Sequence, residues 1–431
     1  MCRTPAKVIL CVWLGFVSLT TFAQDFTIFN RAVQVHGFAT QGFIYTNHNE
    51  WLTMHTSQGS GAFTDFGVNM STFVTDKLHV GGHYMTAIWG TWASGIYHWT
   101  GRSGGKVKTR LGLHNDTQDP NFLRPFALLP QGVYPTDLRD ATIAHTGGDI
   151  YGSFSPRSRW GMLSYTVYAG HRSDSIYSGY PYLLSQFGTH FKSYGGLQYG
   201  ADLRWDTHWK GLLLGVSRMN EDIHAKGSTP DPFNPGVLIA YSEHSRADRT
   251  NQFYGQYSHG PLQLEAEYRR YVRDQLIFAG ASENPLDVRG WYASGTYRLV
   301  KRVEIGAYYS HYTVQSFLKG ALASLDPGLT PSSLPENHIY DKVVAGRIDL
   351  NRWWDVKVEG HFMDGFANAP YPDGFYPQVN SSGLQRKTNA LVVETRGQLL
   401  TMRMGRDFRL YFVLTSFLSL VSPLALQAAR R

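Results

Sequence analysis

Cysteine is nearly absent from this chain, and long apolar runs occur only at its two ends. The 431 residues include two cysteines, Cys2 and Cys11. The rest of the chain therefore has neither a disulfide framework nor a thiolate metal site. Apolar runs of about 20 residues, which a transmembrane helix needs, are missing between residues 26 and 400. A polytopic helical membrane protein is excluded, and the abundant aromatic residues argue against disorder.

The first 23 residues have the layout of a secretory signal peptide. Arg3 and Lys7 give a basic start, and an apolar core follows over residues 8–19. The tripeptide Thr21-Phe22-Ala23 then provides a small-residue cleavage site. A membrane anchor is the alternative, but the apolar core is short for a span. We expect residues 1–23 to be removed on export.

Residues 402–431 have the same layout at the opposite end of the chain. Arg403, Arg406 and Arg409 precede an uncharged stretch over residues 410–426. Three interpretations stay open: a terminal transmembrane helix, an amphipathic helix, and a reading frame that runs into the start of a neighbouring secreted protein. We favour the third, because the pattern is again that of a signal peptide. The body of the protein is then residues 24–401.

Basic charge is concentrated at the ends rather than in the body. The chain carries a net charge of +7, of which residues 1–23 hold +2 and residues 402–431 hold +4, leaving +1 for residues 24–401. A nucleic-acid-binding surface needs clustered basic side chains. With most of the excess outside the body, we expect no nucleic-acid partner.

Polar and apolar residues alternate along the body, as they do in strands that have two different faces. Along residues 262–273, Glu265 and Glu267 share one face, and Leu264 lies on the other. Residues 355–362 repeat the pattern. Short turn signals separate strands at residues 75–77, 155–157, 206–208, 259–261, 300–302 and 351–352. Longer connections rich in Gly, Pro, Asn and Ser lie at residues 228–235, 326–335 and 369–383.

Tight turns at one end and long loops at the other are typical of an up-and-down barrel of the outer membrane. In hydrocarbon each unpaired backbone group costs several kcal/mol, so such a sheet must close. Aromatic residues near the strand ends, such as Trp353 and Trp354, suit interfacial girdles. We therefore predict an all-β, transmembrane antiparallel β-barrel of about 16 strands, at roughly 24 residues per strand. A secreted soluble β protein is the alternative.

Several local stretches of the body carry a resemblance to a known family. They are Val33–Phe38, Phe73–Gly81, Gly105–Lys108, the positions Gly112, Leu113, Asn115 and Gln118, Leu129–Pro135, Asn351–Trp354, and Lys357–His361. These stretches resemble bacterial outer-membrane β-barrel porins, loosely the phosphate-selective and related specific porins. The resemblance implies a channel in contact with outer-membrane lipid, a homotrimer, and a loop that folds into the pore after residue 108.

Two stretches depart from that family's pattern. Residues 80–105 are short for two membrane strands plus a loop, which puts one hairpin in question. The expected last strand, near residues 389–399, lacks the terminal aromatic residue that such barrels present to the assembly machinery.

Charged residues after residue 105 are the leading candidates for the pore. Lys106, Lys108 and Arg110 alternate, so under the barrel prediction they form a basic ladder that points into the lumen. Further charges follow on a proline-containing segment: Asp116, Asp119, Arg124, Asp137, Arg139 and Asp140. Opposed charges of this kind would constrict the pore and select ions by sign. A surface loop with solvated charge is the alternative.

A second set of lumen candidates lies on two predicted strands. It comprises Glu265, Glu267, Arg269, Arg273, Lys357 and Glu359. The alternative is a structural ladder of cross-strand ion pairs.

Catalytic and cofactor signatures are missing from the sequence. It contains no H-E-x-x-H, no G-x-S-x-G and no G-x-G-x-x-G before a helix, and its 17 histidines show no ligand spacing. We expect no enzyme, no cofactor and no metal site. The preferred function is an outer-membrane porin for passive diffusion of small hydrophilic solutes or ions. The alternative is a non-channel barrel that acts in binding, adhesion or structure through its long loops.

Overall fold

The alternating segments form one antiparallel sheet in the computed structural model. The structure describes residues 26–28, 31–75, 78–89, 92–100, 105–117, 124–155, 160–176, 179–185, 188–231, 233–273, 275–278, 281–283, 286–315, 333–367, 375–376 and 379–399. Within them lie 19 strand segments in a single sheet. The all-β prediction is confirmed. The expected signal peptide (residues 1–23) and tail (residues 402–431) fall outside the described residues.

The strands follow one another along the chain with few helical interruptions. They are β1 (Phe26–Ile28), β2 (Arg31–Thr46), β3 (Ser60–Thr75), β4 (Leu78–Trp89), β5 (Trp92–Thr100), β6 (Gly105–Lys108), β7 (Ala144–Phe154), β8 (Met162–Ser173), β9 (His190–Asp206), β10 (Leu212–Pro230), β11 (Leu238–His259), β12 (Leu262–Arg273), β13 (Gln275–Phe278), β14 (Ala281–Glu283), β15 (Leu286–Val300), β16 (Val303–Val314), β17 (His338–Asn351), β18 (Trp354–Gly365) and β19 (Lys387–Leu399). Two short helices are α1 (Arg139–Thr142) and α2 (Gly179–Ser185), and single 3-10 turns lie at Thr56–Gln58, Asn115–Thr117 and Pro335–Asn337.

The sheet closes because its last strand pairs with an early one. β19 is antiparallel to β2, with Val392 opposite Ile44. From β2 the ladder runs through β3 and β4 to β5, and from β6 it runs in chain order to β12, then β15 to β19. β5 and β6 are joined by residues 101–104 and lie side by side. β13 pairs with β11 beyond the end of β12, and β14 completes a small hairpin there.

The connections have different lengths at the two ends of the sheet. At the turn end, two residues join β11 to β12, β15 to β16, and β17 to β18, as the sequence predicts. Gly260 occupies the first of these turns with a φ of 56°, a left-handed conformation that glycine adopts without strain. At the loop end, residues 47–59, 109–143 and 366–386 form long connections.

The hairpin in question between residues 80 and 105 is formed. β4 and β5 pair over nine positions, from Gly81 opposite Thr100 to Trp89 opposite Trp92. The two strands fit because only residues 90 and 91 separate them, so this connection at the loop end is short rather than long.

The two faces of the sheet differ in polarity as the alternation predicts. On β18, Val358 and Phe362 are 44% and 53% exposed, whereas Lys357 and Glu359, on either side of Val358, are fully buried. The outer face of the closed sheet is therefore apolar and exposed, and its inner face carries charge. Among the described residues, no helix has the length and apolarity to cross a membrane.

Charged substitutions at two depths test whether the outer face meets lipid, because a charged side chain costs more stability at the middle of a bilayer than near its surface. Val344, 56% exposed, lies in the middle of β17, and Leu350, 41% exposed, lies beside its turn. We expect Val344→Lys to lower the unfolding free energy in lipid by about 2–4 kcal/mol and Leu350→Lys by about 0–1 kcal/mol. Urea unfolding in vesicles measures both. Equal, near-zero costs would show that the face is bathed in water.

Candidate functional site

The connection between β6 and β7 comprises residues 109–143, and we call it the inner loop. Its described residues, 109–117 and 124–143, lie inside the closed sheet. Its two ends are held together, since the Thr109 amide donates to the Ile143 carbonyl at 2.9 Å. The buried Asn115 amide nitrogen donates to the carbonyls of Thr109 and Thr142, both at 2.8 Å. The base of the inner loop is therefore a rigid neck, from which the chain reaches across to distant strands.

Glu267 on the inner face of β12 is the first anchor of the inner loop. Its Oε1 accepts the Leu113 amide at 3.0 Å and its Oε2 accepts the Tyr134 hydroxyl at 2.6 Å, so one carboxylate holds both limbs. Gln252 also donates to Oε1, at 2.9 Å. The Glu267 side chain is buried, with 3% of the residue exposed. Hydrogen bonds to a charged acceptor are stronger than neutral ones, so this contact fixes the loop firmly.

The close approach at Glu267 explains a glycine in the inner loop. Gly112 has a φ of +70°, and a Cβ there would lie 2.2 Å from Oε1 of Glu267 and 2.3 Å from the Gln252 amide nitrogen. No other residue fits without displacing the anchor. The Gly112 amide donates to Ser217 Oγ at 2.8 Å, and its carbonyl accepts from Arg204 at 3.0 Å.

Neighbouring residues of β12 add contacts on either side of this anchor. The His114 ring pairs with Glu265 through Nε2 and Oε2 at 2.9 Å. Arg269 donates from Nη1 to the Val133 carbonyl at 2.8 Å. Glu265, Glu267 and Arg269 thus all face inward, and each contacts the inner loop.

The second anchor lies on β18, where Glu359 and Lys357 hold the middle of the inner loop. Glu359 accepts the amide of Ala127 and, at 3.4 Å, the amide of Leu128. Lys357 donates to the Phe126 carbonyl at 3.2 Å and pairs with Glu394 at 3.4 Å. These side chains are fully buried. Lys357 lies opposite Glu394 on β19, and the two form a cross-strand ion pair of the kind given above as the alternative to a pore charge. The contacts with the inner loop come in addition.

A third contact joins the inner loop to the connection between β18 and β19. The Tyr376 hydroxyl donates to Asp137, and both side chains are buried. Burial raises the pKa of Asp137 to about 7, while the Tyr376 hydrogen bond acts in the opposite direction. Burial likewise raises the pKa of Tyr134 well above its usual value. The inner loop is therefore tied to the wall on β9, β10, β12 and β18.

The predicted basic ladder on β6 does not point into the lumen in this register. Val107 lies opposite His145, whose ring stacks on inward-facing Tyr168 with centroids 5.1 Å apart. Directly paired residues share a face, so Lys106 and Lys108, which alternate with Val107, lie on the outer face. The prediction differs from the structure because alternation along β6 separates its lysines from Val107 but does not show which of the two faces points inward.

The remaining predicted residues fall into different environments. Arg124 lies half-buried in the inner loop, where burial lowers its pKa and Glu394, Glu265 and Glu359 act in the opposite direction. Arg139 begins α1 and is half-buried, Arg273 is buried, and Arg110 directly follows the inward-facing Thr109. Asp116 belongs to a 3-10 turn, but its side chain lies outside the described residues, as does the whole of Asp119.

An apolar cluster at the loop end was not predicted from the sequence; we call it the loop-end cluster. Three connections contribute to it, among others through Trp51, Leu128 and Phe375, and strands β2, β3 and β15–β19 supply further residues. Trp51 is 1% exposed, and its ring centroid lies 5.1 Å from that of His361 and 6.3 Å from that of Phe375. The one sequence signal is the apolar character of Trp51, Leu52 and Met54 within a polar connection.

Comparison with known proteins gives likeness in structure but none in sequence. No family profile matches the chain, and no curated protein matches it. OmpT of Vibrio cholerae, an outer-membrane protein, is 13% identical, with 87% of this chain and 100% of that chain covered and a TM-score of 0.49. An anion-selective porin from Comamonas acidovorans is 10% identical, with coverages of 86% and 100% and a TM-score of 0.46. OmpF of Salmonella typhi, in complex with daunomycin, is 13% identical, with coverages of 86% and 99% and a TM-score of 0.44. The chain is thus similar in structure to outer-membrane porins.

Proposed function

We propose that this chain is an outer-membrane channel for passive diffusion of small hydrophilic solutes or ions, constricted by the inner loop. The observation that carries the proposal is the inner loop itself, which leaves β6, reaches the opposite wall and is bound there by Glu267 and Glu359. A segment held across a closed sheet by buried charges sets the width of the passage beside it. The exposed apolar outer face suits lipid.

The proposal includes the size of the barrel. Its wall consists of β2–β12 and β15–β19, which is sixteen strands, with β13 and β14 as an extension at the loop end. Barrels of 16–18 strands are wide enough to leave an aqueous channel. A homotrimer in the bacterial outer membrane remains a prediction from the family resemblance.

Liposome swelling tests whether solutes pass. Vesicles that contain the folded protein should swell in isotonic sugars, with rates that fall steeply as the sugar grows from a pentose to a trisaccharide. Protein-free vesicles are the control. Vesicles that hold the inserted protein and do not swell in any of the sugars would contradict the channel.

We expect the ion selectivity of the lumen to depend on Arg124 and not on the outward-facing Lys106 and Lys108. We expect Arg124→Gln to shift the reversal potential toward cations, because it removes a cation from the inner loop where acidic side chains of β12, β18 and β19 act on it. The double variant Lys106→Gln/Lys108→Gln, on the outer face, is the matched control and should leave the potential unchanged. A shift in the double variant alone would restore the basic ladder.

The loop-end cluster favours a second candidate, a closed barrel that acts through its loops. Trp51, Leu128 and Phe375 bring three connections together over the inner face at the loop end. If this cluster sealed the lumen, the protein would serve in binding, adhesion or structure. The swelling assay separates the two functions, because a sealed barrel inserts without transporting sugar.

A further inference from the structure

Three metal-binding side chains meet on the outer face of the β10–β11 hairpin. His224 and His244 lie directly opposite each other in the register, and their rings stack with centroids 3.9 Å apart and planes 21° apart. Both Nε2 atoms approach one oxygen, Oδ1 of Asp222, at 3.2 Å from His224 and 2.7 Å from His244. One ligand atom from each residue lies within 4.8 Å of the other two.

A β-bulge in β11 brings His244 into line with the two residues of β10. Two residues of β11, Arg246 and Ala247, lie opposite the single residue Asp222, and Ala247 has a φ of 56°. The extra residue re-aims the β11 side chains, so that His244 faces outward. The neighbours of Asp222 along β10 are buried, whereas Asp222 is 45% exposed and faces outward with the two histidines.

The cluster lies beyond the apolar residues of the outer face along β10. Along β10, Leu214 and Val216 near the turn end are exposed apolar residues, and Arg218 and Asn220 follow them toward the loop end. Asp222 comes next on that face. The three ligands therefore continue the polar part of β10, with Leu197 of β9 opposite Asp222, on the side of the wall away from the inner loop.

We propose that Asp222, His224 and His244 bind one divalent transition-metal ion of the Zn²⁺ class. Two imidazole nitrogens and a carboxylate oxygen are a common ligand set for Zn²⁺, and bonds of about 2.0–2.2 Å in tetrahedral geometry place ligand atoms about 3.3 Å apart. Rotations of the exposed Asp222 and His224 side chains and of the half-buried His244 ring would reach that spacing. Ca²⁺ and Mg²⁺ are disfavoured, because they take oxygen ligands. The fourth position faces outward and takes water.

The ion would fasten β10 to β11 from the outer side of the wall. Sequence analysis predicts no metal site, because His224 and His244 are 20 residues apart and become neighbours only through the register. The site does not depend on the proposed function, since it lies outside the lumen.

Calorimetric titration of the detergent-purified protein with ZnCl₂ alone tests the site. We expect one ion per chain with micromolar affinity, and at least tenfold weaker binding in His224→Ala, His244→Ala and Asp222→Asn. His171→Ala is the matched control, because His171 is exposed on the same face on β8, which β9 separates from β10, and its affinity should equal the native one. Native protein that binds no Zn²⁺ up to about 100 µM, or a His244→Ala variant with native affinity, would overturn the proposal.

Cobalt provides a readout that needs no variant. Co²⁺ bound to the native protein by two imidazoles and a carboxylate should give the visible absorption bands of a tetrahedral site, and added Zn²⁺ should abolish them. A Co²⁺ spectrum identical to that of the free aqueous ion would contradict the site even if every variant failed to fold.

Discussion

Replacing Glu267 by alanine should release the inner loop and lower the unfolding free energy by about 3–5 kcal/mol, because buried donors then lose a charged acceptor. The Leu113 amide, the Tyr134 hydroxyl and the Gln252 amide all donate to this carboxylate. The alanine variant leaves them unpaired in the interior. Urea unfolding followed by tryptophan fluorescence measures the loss, and trypsin should cut the released loop in the folded barrel.

The matched control for this variant is Glu304→Ala. Glu304 is also a buried wall carboxylate, but it pairs with Arg298 at 2.7 Å near the turn end and has no described contact with the inner loop. Its loss should cost about 1–2 kcal/mol and leave the inner loop resistant to trypsin. Equal stability losses and equal cleavage in both variants would show that Glu267 is an ordinary wall residue.

Replacing Trp51 by alanine should lower the unfolding free energy by a similar amount, about 3–5 kcal/mol, because it empties the centre of the loop-end cluster. The indole packs edge-on against His361 and stacks with Phe375, and 1% of Trp51 is exposed. Three connections lose their common contact together. Unfolding in urea again provides the measurement.

Trp209→Ala is the control for that cavity, because Trp209 is 63% exposed at the turn between β9 and β10. It should change the unfolding free energy by no more than about 0.5 kcal/mol. If the diffusion channel runs beside the loop-end cluster, Trp51→Ala should also keep close to the native swelling rate. Swelling that appears only in Trp51→Ala would favour the closed barrel.

Local patterns in the sequence predict the wall of this protein well, because strand alternation and turn chemistry act over a few residues. The opposite faces of β18, with Val358 outside and Lys357 inside, follow from alternation alone. The turn at residues 259–261 follows from its Gly-Pro pair. The presence of a long, charged connection after residue 108 also follows from composition and from the family resemblance.

Local patterns do not predict which side chains face inward or what the inner loop contacts, because both depend on the register between segments far apart in the chain. Whether Lys106 faces in or out depends on Val107 pairing with His145, 38 residues away. Glu267 and Glu359 look like free pore charges in sequence, yet both accept backbone amides from a loop more than 130 residues distant. The loop-end cluster needs three separate connections to converge, and no local pattern encodes that convergence.

We propose that the inner loop narrows an open, water-filled passage through the closed sheet. Single-channel recording of the native protein in a planar bilayer measures that passage. We expect discrete current steps of uniform size, and larger, noisier steps in Glu267→Ala. A bilayer that stays electrically silent after verified insertion of the folded native protein would contradict it.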